Sequence, residues 1–431
     1  MTLSSQGITN YIILEAKDHI GGRSYTTQET FEGATIPVDH GSGWLHGGSA
    51  NPLNDIALQT GNPTSTSTYN QKVYKSNGGG ALPDEDLNTI YSENFENGFM
   101  DYQEFLQWDR NADEGLDISA NEYLETISDN LKKEVLKHLY TSLIELEYSA
   151  RMSQLSLWWW DNDLWLDGPN QDDYLMIDGY GPLIESYAAP VLDKVVLEKA
   201  VTVIDYQNGP TVDVQCGNEL YKAKKVIITV PLGVLKAELI EIIPNLTGNL
   251  RAIIGRLGMG KMNKIIMFWP QNEVFWPQET EILGDVEERD SDFSFFNHMP
   301  YNGDRPFLDA FFAGEEAELL ETQYASSNPA LYEEKITELA MIPLRNMFGN
   351  NIPSPSKVVV TKWNVDNYSM GSYSFNAVGM NEDDRTKLGT PIRNSKIVIA
   401  GEATSQDHFQ TTHGAYWEGK RAAESVADSL A

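Results

Sequence analysis

Cysteine and basic side chains are both scarce in this sequence. Cys216 is the single cysteine in 431 residues, which excludes a disulfide within the chain, a cysteine-based zinc site and an iron–sulfur cluster. The 31 lysines and arginines stand against 63 aspartates and glutamates, so the formal net charge is −32. Such an acid excess argues against binding to nucleic-acid phosphates. The simplest interpretation is that the acids keep the surface soluble, and the alternative is that they attract cationic ligands.

Long apolar runs are missing as well. No stretch approaches the ~18 residues of a membrane-spanning helix, and the first ten residues lack the charged and apolar regions of a secretory signal. We therefore expect no membrane segment and a cytoplasmic or peroxisomal location, with secretion left open because the amino terminus could be incomplete. With 41% hydrophobic residues the chain can build a large core, and its length allows two or three domains. Nothing in the sequence predicts an oligomeric state.

Short apolar segments, spaced far apart, predict the strands of a nucleotide-binding domain. Residues 11–15 have the pattern of a buried strand that ends on an acid, Glu15, and are followed by Gly21, Gly22 and Arg23. A hairpin at 201–206 and 211–215 leads to a buried strand at 225–230, and a further strand is predicted at 396–400. We therefore expect a nucleotide domain assembled from separate segments, with a second domain inserted between them.

Helical spacing of apolar residues predicts four helices. One follows Ser128 and Asp129 as far as Leu146, and two others span 315–324 and 329–348, the latter opened by Asn328 as cap and Pro329 in the first turn. The fourth begins near His413.

Glu15 stands where a dinucleotide-binding unit places the acid that binds ribose hydroxyls. From this segment alone, a surface acid at a strand end is an equally good interpretation. The glycine fingerprint should lie ~20 residues earlier, which is before Met1, and the sequence contains no G-x-G-x-x-G. Residues 1–6 would then be only the end of the first helix.

Nine motifs in one order, spread over residues 13–416, resemble those of the flavin-containing amine oxidases. Among that family the sequence is most similar to polyamine oxidases, in particular the spermine oxidase and N-acetylpolyamine oxidase branch. The motifs are ILEA with DHIGGR (13–23), GWLHG (43–47), DGY (178–180), VPLGVL (230–235), MNKI (262–265), FWP (275–277), GSYS (371–374), GEAT (401–404) and TTHGAY (411–416).

The resemblance implies an α/β fold of two domains. An FAD-binding Rossmann-like domain would comprise residues 1–55, 185–250 and 385–431, without its first βα unit. A substrate-binding domain of mixed sheet and helices would comprise 56–184 and 251–384.

The resemblance also implies non-covalent FAD, because monoamine oxidases attach flavin to a cysteine near the carboxyl terminus and this chain has none there. Glu15 would bind the adenosine ribose, Arg23 the pyrophosphate and Glu402 the flavin polyol. A guanidinium fork independently suits a diphosphate. The other implied cofactor residues are Gly21, Gly22, Val201 at the adenine, Trp44 and Trp363 beside the isoalloxazine, and Thr411.

The implied catalytic residues are Lys264, His46, Tyr373 and Thr411. Lys264 would hold a water against the flavin; read alone it would be an edge-strand lysine. Tyr373 would form one wall of the amine site, with Thr411 opposite in place of a second aromatic ring. His46 would bind or deprotonate a substrate nitrogen, unless it is a structural histidine. Carboxylates for distal amines could come from a group that a solvated loop explains equally well: Asp161, Asp163, Asp172 and Asp173.

The expected reaction is FAD-dependent oxidation of a small cationic polyamine by O₂, giving H₂O₂ and an imine that water hydrolyses to aldehyde and amine. No metal is expected. One alternative is a relative of the lysine-specific histone demethylases, against which stands the lack of a long helical insertion or an extra helical domain. Another is a flavin-free, non-enzymatic relative, since the phosphate-binding loop is missing. The missing loop itself means either an incomplete sequence or a chain that has lost flavin binding.

Overall fold

The computed structural model describes residues 1–68, 70–75, 80–101, 103–104, 119, 121, 135–137, 139–163, 166, 172–286, 293–298, 306–313, 315–393 and 396–431. Within these ranges helices and sheets are mixed along the whole chain. The α-helices are Thr2–Ser5, Pro52–Thr60, Asp84–Ile90, Leu146–Tyr148, Tyr180–Ala188, Leu232–Lys236, Gly248–Arg256, Glu315–Tyr324, Pro329–Phe348, Asp384–Leu388 and Thr412–Asp428. Wider π-helical turns span Tyr91–Met100 and Thr141–Glu145, and 3₁₀ turns span Gly48–Ala50, Ala189–Lys194, Gln271–Glu273 and Glu402–Thr404.

A six-stranded sheet carries much of the core. Its strands are antiparallel except for the last pair, which is parallel. Every residue of its strand Asn263–Phe268 is buried, because helix Pro329–Phe348 packs on one face and the hairpin 26–39 packs on the other. In spatial order the strands are Lys357–Val360, Asn263–Phe268, Phe307–Phe312, Phe293–Asn297, Ile282–Val286 and Gln71–Lys75.

The remaining sheets are small. A four-stranded sheet has the order Glu219–Ala223, Val212–Cys216, Val203–Asp205 and Glu241–Ile243, and a three-stranded sheet has the order Trp44–Leu45, Tyr174–Met176 and Thr64–Thr66. The two-stranded pairs are Ile13–Leu14 with Val195–Val196, Val226–Ile228 with Ile397–Ile399, Gly258–Met259 with Ser374–Phe375, and Thr26–Phe31 with Ala34–Asp39.

The strand predicted at residues 11–15 is shorter and more exposed than expected. Only Ile13–Leu14 is extended in a sheet, and Ile12 and Ile13 are 47% and 40% exposed. The reason is that this strand pairs with Val195–Val196 alone, and Val226–Ile228 pairs with Ile397–Ile399 alone. Within the described ranges no strand joins these two parallel pairs. The prediction of a buried strand was therefore wrong, since burial needs neighbours on both sides.

Other predicted elements are found in place. The second strand of the hairpin, Val212–Cys216, has the predicted length and begins one residue later. The other three strands are shorter than predicted, at Val203–Asp205, Val226–Ile228 and Ile397–Ile399. Helices Glu315–Tyr324 and Pro329–Phe348 have the predicted bounds, and Asn328 caps the latter by accepting from the Leu331 N–H at 3.4 Å. The helix predicted up to Leu146 lies partly outside the described residues; its last part is helical, through the π-helical turn Thr141–Glu145 into Leu146–Tyr148.

No helix of the described ranges is both long and apolar enough to cross a membrane. In the same ranges, no group of three or more histidine, cysteine, aspartate or glutamate residues is arranged to hold a metal ion.

Candidate active site

One cavity of about 1470 Å³ gathers the predicted site residues from all parts of the chain. It is larger than the ~300–1,000 Å³ of ordinary ligand pockets, so it has room for a long ligand or for two ligands together. Its wall includes all twelve residues that the sequence singled out as catalytic or cofactor-binding: Glu15, Gly21, Gly22, Arg23, Trp44, His46, Val201, Lys264, Trp363, Tyr373, Glu402 and Thr411.

At one end of the cavity Glu15 follows the strand Ile13–Leu14. Its carboxylate accepts a hydrogen bond from the backbone N–H of Lys17 at 2.8 Å. The Lys17 ammonium pairs with Asp366 at 2.6 Å and lies 5.1 Å from the Trp363 ring centroid. The two-residue strand thus places the Glu15 carboxylate in the cavity wall, and Lys17 connects the same segment to Trp363. Gly21 and Gly22, both at positive φ, form the turn beyond it.

Arg23 and Glu402 form a buried ion pair in the middle of the cavity wall. An Arg23 Nη donates to Glu402 Oε1 at 3.0 Å and to the Ser372 carbonyl at 2.6 Å. Glu402 Oε2 accepts from the Ser374 hydroxyl at 2.5 Å and from the Gln410 N–H at 2.9 Å. Burial alone would raise the pKa of Glu402, but Arg23 and these hydrogen bonds lower it below the ordinary value. The carboxylate is therefore ionised at neutral pH.

Two tryptophans line the cavity on different elements. Trp363 is fixed by a hydrogen bond from its indole N–H to the His40 carbonyl at 3.0 Å. Trp44 packs edge-on against Phe296, with ring centroids 4.7 Å apart. Its buried indole N–H has no hydrogen-bond partner among the described residues, and neither has the side-chain amide of Gln410, which also lines the cavity. Buried donors and acceptors without partners are uncommon in folded proteins, and a polar ligand in the cavity would supply partners.

Lys264 stands on the second strand of the six-stranded sheet. Its neighbours are Lys357–Val360 and Phe307–Phe312, so the alternative of an edge-strand lysine was wrong. The side chain is 4% exposed, and its ammonium group donates to the Asp39 carbonyl at 3.1 Å and lies 4.9 Å from the Phe311 ring. Burial lowers the pKa of Lys264, although the carboxylates of Asp309 and Asp39 oppose the shift.

His46 and a group of acids form the other end of the cavity. His46 Nδ1 is 2.9 Å from Asp173 Oδ2, and the Gly47 N–H donates to Asp173 Oδ1 at 2.8 Å. Burial alone would lower the pKa of His46, but the hydrogen bond to Asp173 and nearby carboxylates raise it. Asp161 and Asp163 also line the cavity, whereas Asp172 does not.

Glu147 also belongs to this acidic end, although the sequence motifs did not point to it. It follows Leu146 on a short helix and lines the cavity. Burial raises the pKa of Glu147, and the positive charge of His46 opposes that shift. No local signal in the sequence marks it, because the segment from Ile144 to Tyr148 contains two acids, Glu145 and Glu147, among three apolar or aromatic residues.

Tyr373 and Thr411 are both engaged by the protein itself. The Tyr373 hydroxyl donates to the Leu146 carbonyl at 2.6 Å, and burial raises the pKa of the phenol. Thr411 is the N-cap of helix Thr412–Asp428: its hydroxyl accepts from the Gly414 N–H at 2.9 Å and donates to the His408 carbonyl at 2.8 Å. Thr411 therefore has a structural role in addition to its place in the wall.

The hydrogen-bonding groups and the charges of the wall residues suit the parts of an FAD molecule. The carboxylate of Glu15, the guanidinium of Arg23 and the ionised carboxylate of Glu402 line a single cavity, together with two tryptophans and orphaned polar groups. An acid suits the ribose hydroxyls of a dinucleotide and a guanidinium suits its pyrophosphate.

Comparison with known proteins decides the family. The family model described as flavin containing amine oxidoreductase matches residues 1–427. The chain belongs to this family. That membership confirms the resemblance and implies a flavin cofactor, and the family acts on amine substrates with O₂.

Two kinds of relatives are similar to this chain in sequence. Protein FLOWERING LOCUS D of Arabidopsis thaliana is 32% identical over 97% of this chain, and lysine-specific histone demethylase 1 homolog 3 of Oryza sativa subsp. japonica is 31% identical over 96%. The chain spans only about half of their length, 52% and 51%. Polyamine oxidase 2 of Arabidopsis thaliana is 31% identical over 96% of this chain and 82% of its own length.

Solved structures share the fold. Cyclohexylamine oxidase from Brevibacterium oxydans IH-35A superposes with a TM-score of 0.74 at 22% identity, covering 100% of this chain and 95% of the other. A variant of putrescine oxidase gives the same TM-score and coverage at 16% identity. The predicted α/β fold of a flavin-dependent amine oxidase is thus confirmed.

Proposed function

We propose that this member of the family oxidises polyamines of the spermine and spermidine type, with non-covalent FAD. The observation that carries the proposal is a single cavity whose wall includes Glu15, Arg23 and Lys264 together with His46 and Glu147. A long cation with several amines needs a carboxylate near each desolvated charge. The acidic end supplies several: Asp161, Asp163, Asp173 and Glu147 all line the cavity.

The proposed reaction converts a C–N single bond into an imine and reduces O₂ to H₂O₂; water then adds to the imine and releases aldehyde and a shorter amine. Bound flavin would supply the two-electron chemistry between amine and O₂. Glu15, Arg23, Trp44, Trp363 and Glu402 would hold it, together with Gly21, Gly22, Val201 and Thr411.

The chain's own catalytic groups would position and desolvate the reactants. Lys264, which lines the cavity, would hold a water there through a hydrogen bond. Tyr373, held by the Leu146 carbonyl, would present one ring face to the reacting amine, since such a face attracts a partial cation. His46, paired with Asp173, would hold a proton at Nδ1 and orient Nε2 toward a substrate nitrogen.

The division into domains supports the same arrangement. We infer an FAD-binding part at 1–55, 185–250 and 385–431, which contributes Glu15, Arg23 and Glu402. The substrate-binding part at 56–184 and 251–384 contributes Lys264, Tyr373 and the acids. The core does not follow these boundaries strictly, because Ile36 and Val38 pack on Ile266 and Phe268.

Demethylation of methylated lysine is the second candidate, and it rests on the demethylase homologues among the relatives. A substrate panel separates the two. The full chain, supplied with FAD, would be assayed for H₂O₂ release with spermine, spermidine, cyclohexylamine and a methyl-lysine peptide. We expect the polyamines to give the highest kcat/KM; a clear preference for the peptide would reject the polyamine assignment.

Two neighbouring aspartates give a matched pair of variants for the acidic end. Asp173→Asn removes a cavity carboxylate and should raise the KM for spermine about tenfold, since a charge-assisted contact is worth about 1.5–3 kcal/mol. Asp172→Asn changes the adjacent acid outside the cavity wall and should leave that KM unchanged. Equal effects of the two variants would show that the acidic end does not bind the substrate.

A further inference from the structure

A buried glutamate outside the cavity wall joins the segments that carry Lys264 and Trp363. Glu321 lies on helix Glu315–Tyr324 and is 1% exposed. Its Oε1 accepts from the backbone N–H groups of Asn364 at 2.9 Å and Val365 at 3.4 Å. Its Oε2 accepts from the side-chain NH₂ groups of Asn263 at 2.7 Å and Asn364 at 2.5 Å. Both carboxylate oxygens are therefore satisfied.

No lysine or arginine in the described part of the chain forms an ion pair with Glu321. Burial raises its pKa, and only the hydrogen bonds from Asn364, Val365 and Asn263 lower it. A carboxylate without a cation partner is costly to bury. A helix that needed only an apolar contact at this position would be better served by leucine or methionine, so the four donors are the reason for the acid.

Asn263 connects the Glu321 carboxylate to the segments that carry Trp363 and Lys264 through hydrogen bonds. Because its NH₂ points at Glu321, its Oδ1 faces the other way and accepts from the Trp363 N–H at 2.8 Å and the Thr361 hydroxyl at 2.9 Å. The Thr361 hydroxyl oxygen in turn accepts from the Lys264 N–H at 2.8 Å. An asparagine amide can flip at little cost when the groups on both sides can donate as well as accept hydrogen bonds. Here the Glu321 carboxylate only accepts, so the NH₂ of Asn263 must face it.

We propose that Glu321 is a positioning residue that fixes the Asn263 amide and thereby holds the backbone of Trp363 and Lys264 in register. It acts on the cavity wall and on the segment of the buried lysine together, although its own side chain does not line the cavity. Its importance for amine oxidation rests on the proposed function, whereas its effect on the two segments does not.

Glu321→Gln tests the role of the two acceptor oxygens, because glutamine has the same shape as glutamate but carries an NH₂ donor in place of one oxygen. The N–H groups of Asn364 and Val365 cannot turn, so the glutamine oxygen must face them and its NH₂ must face Asn263. Asn263 would then flip and present its own NH₂ to the Trp363 N–H, which loses its acceptor. We expect amide hydrogen exchange of the full chain, measured without added flavin, to speed up about tenfold or more at residues 361–366, the consequence of losing a buried hydrogen bond.

Glu318→Gln is the matched control. Glu318 lies one turn earlier on the same helix and pairs with Lys261 at the surface, with side chains 41% and 56% exposed. We expect no change of exchange at 361–366 in this variant. The proposal is overturned if Glu321→Gln leaves exchange at 361–366 as in the parent chain, or if it raises exchange equally throughout the molecule, which would be a general loss of stability.

A second substitution should rescue the first. In Glu321→Gln combined with Asn263→Asp, the new carboxylate can accept from the glutamine NH₂ on one side and from the Trp363 N–H on the other. We expect exchange at 361–366 to return to within about threefold of the parent, an interaction between neighbouring sites that independent effects would not give. Additive damage in the double variant would overturn the proposal. Loss of turnover with correct exchange behaviour would concern only the proposed function.

Discussion

Among single residues, Lys264 matters most for the proposed catalysis. The structure places this side chain in an almost dry environment, between the Asp39 carbonyl and the face of Phe311. Burial lowers its pKa because the charged form loses hydration. The burial of Lys264 therefore both suits it to catalysis and lowers the stability of the fold.

Lys264→Met should separate these two effects. Methionine is similar in length and carries no charge, so at pH 7 the melting temperature of the flavin-free chain should rise. Because folding lowers the pKa of Lys264, the unfolded chain binds more protons than the folded chain between that lowered pKa and the ordinary lysine value of ~10.5, so the stability of the parent chain increases with pH in this window. The difference in melting temperature should therefore shrink as pH rises from 7 to 10. Calorimetry across this range checks the sign; a difference that grows with pH would contradict the pKa direction.

The same variant should be a poor oxidase. We expect turnover with spermine to fall at least about a hundredfold, the usual scale for losing a group that assists a proton transfer. Stopped-flow oxidation of the reduced enzyme by O₂ is the measurement, and a rate equal to that of the parent would remove Lys264 from the catalytic set.

Several site residues could be named from the sequence because they lie in short motifs, as Lys264 does in MNKI and Glu402 in GEAT. Glu147 and Glu321 could not. Each is one acid on an ordinary helix, and what distinguishes it is what the fold brings beside it: a cavity for Glu147 and two asparagines for Glu321. Such neighbours come from distant parts of the chain and leave no local pattern.

For helices and strands, local sequence signals predict where a helix begins and ends, but they predict poorly which strands lie beside a given strand. Asn328 and Pro329 give helix Pro329–Phe348 its start because cap and first turn are decided within four residues. The strand Ile13–Leu14 looked buried because it is apolar, yet its exposure depends on neighbouring strands. Register and neighbours are long-range properties, and apolar composition cannot supply them.

The helix Thr412–Asp428 offers a test of close packing next to the site. Gly414 lies in its first turn, where an added Cβ would come within 1.8 Å of the His408 carbonyl oxygen. Gly414→Ala should therefore push the helix away from the loop that contains His408, and lower the free energy of unfolding by about 2 kcal/mol.

Gly419 on the same helix is the control, because nothing lies within 4 Å of a Cβ added there. Gly419→Ala should raise the free energy of unfolding by up to about 1 kcal/mol through helix propensity. Urea unfolding of both variants without added flavin measures the two effects. Equal free energies of unfolding for the two variants would contradict the close approach at Gly414.

At the scale of the whole molecule, the dominant property is the net charge of −32. A field of this sign attracts polycations and also repels itself, and salt screens both effects, with a Debye length of about 8 Å at physiological ionic strength. Sequence composition alone gave the sign of this field. The placement of Asp161, Asp163 and Asp173 inside a cavity required the fold.

The field predicts a salt dependence that scales with substrate charge. Raising the salt concentration from about 0.02 M to about 0.3 M should increase the KM for spermine several-fold and that for cyclohexylamine much less. Initial rates of H₂O₂ release at fixed pH measure both. Identical salt dependence for the two amines would show that the acid excess serves solubility only.

The central claim is that this chain binds flavin in the cavity and oxidises an amine there. The most direct measurement is the visible absorption spectrum of the purified full chain, equilibrated with FAD and freed of unbound cofactor, before and after anaerobic addition of spermine. The account predicts a flavin spectrum that persists through gel filtration and bleaches with spermine. A colourless protein, or a bound flavin that no polyamine bleaches, would contradict it.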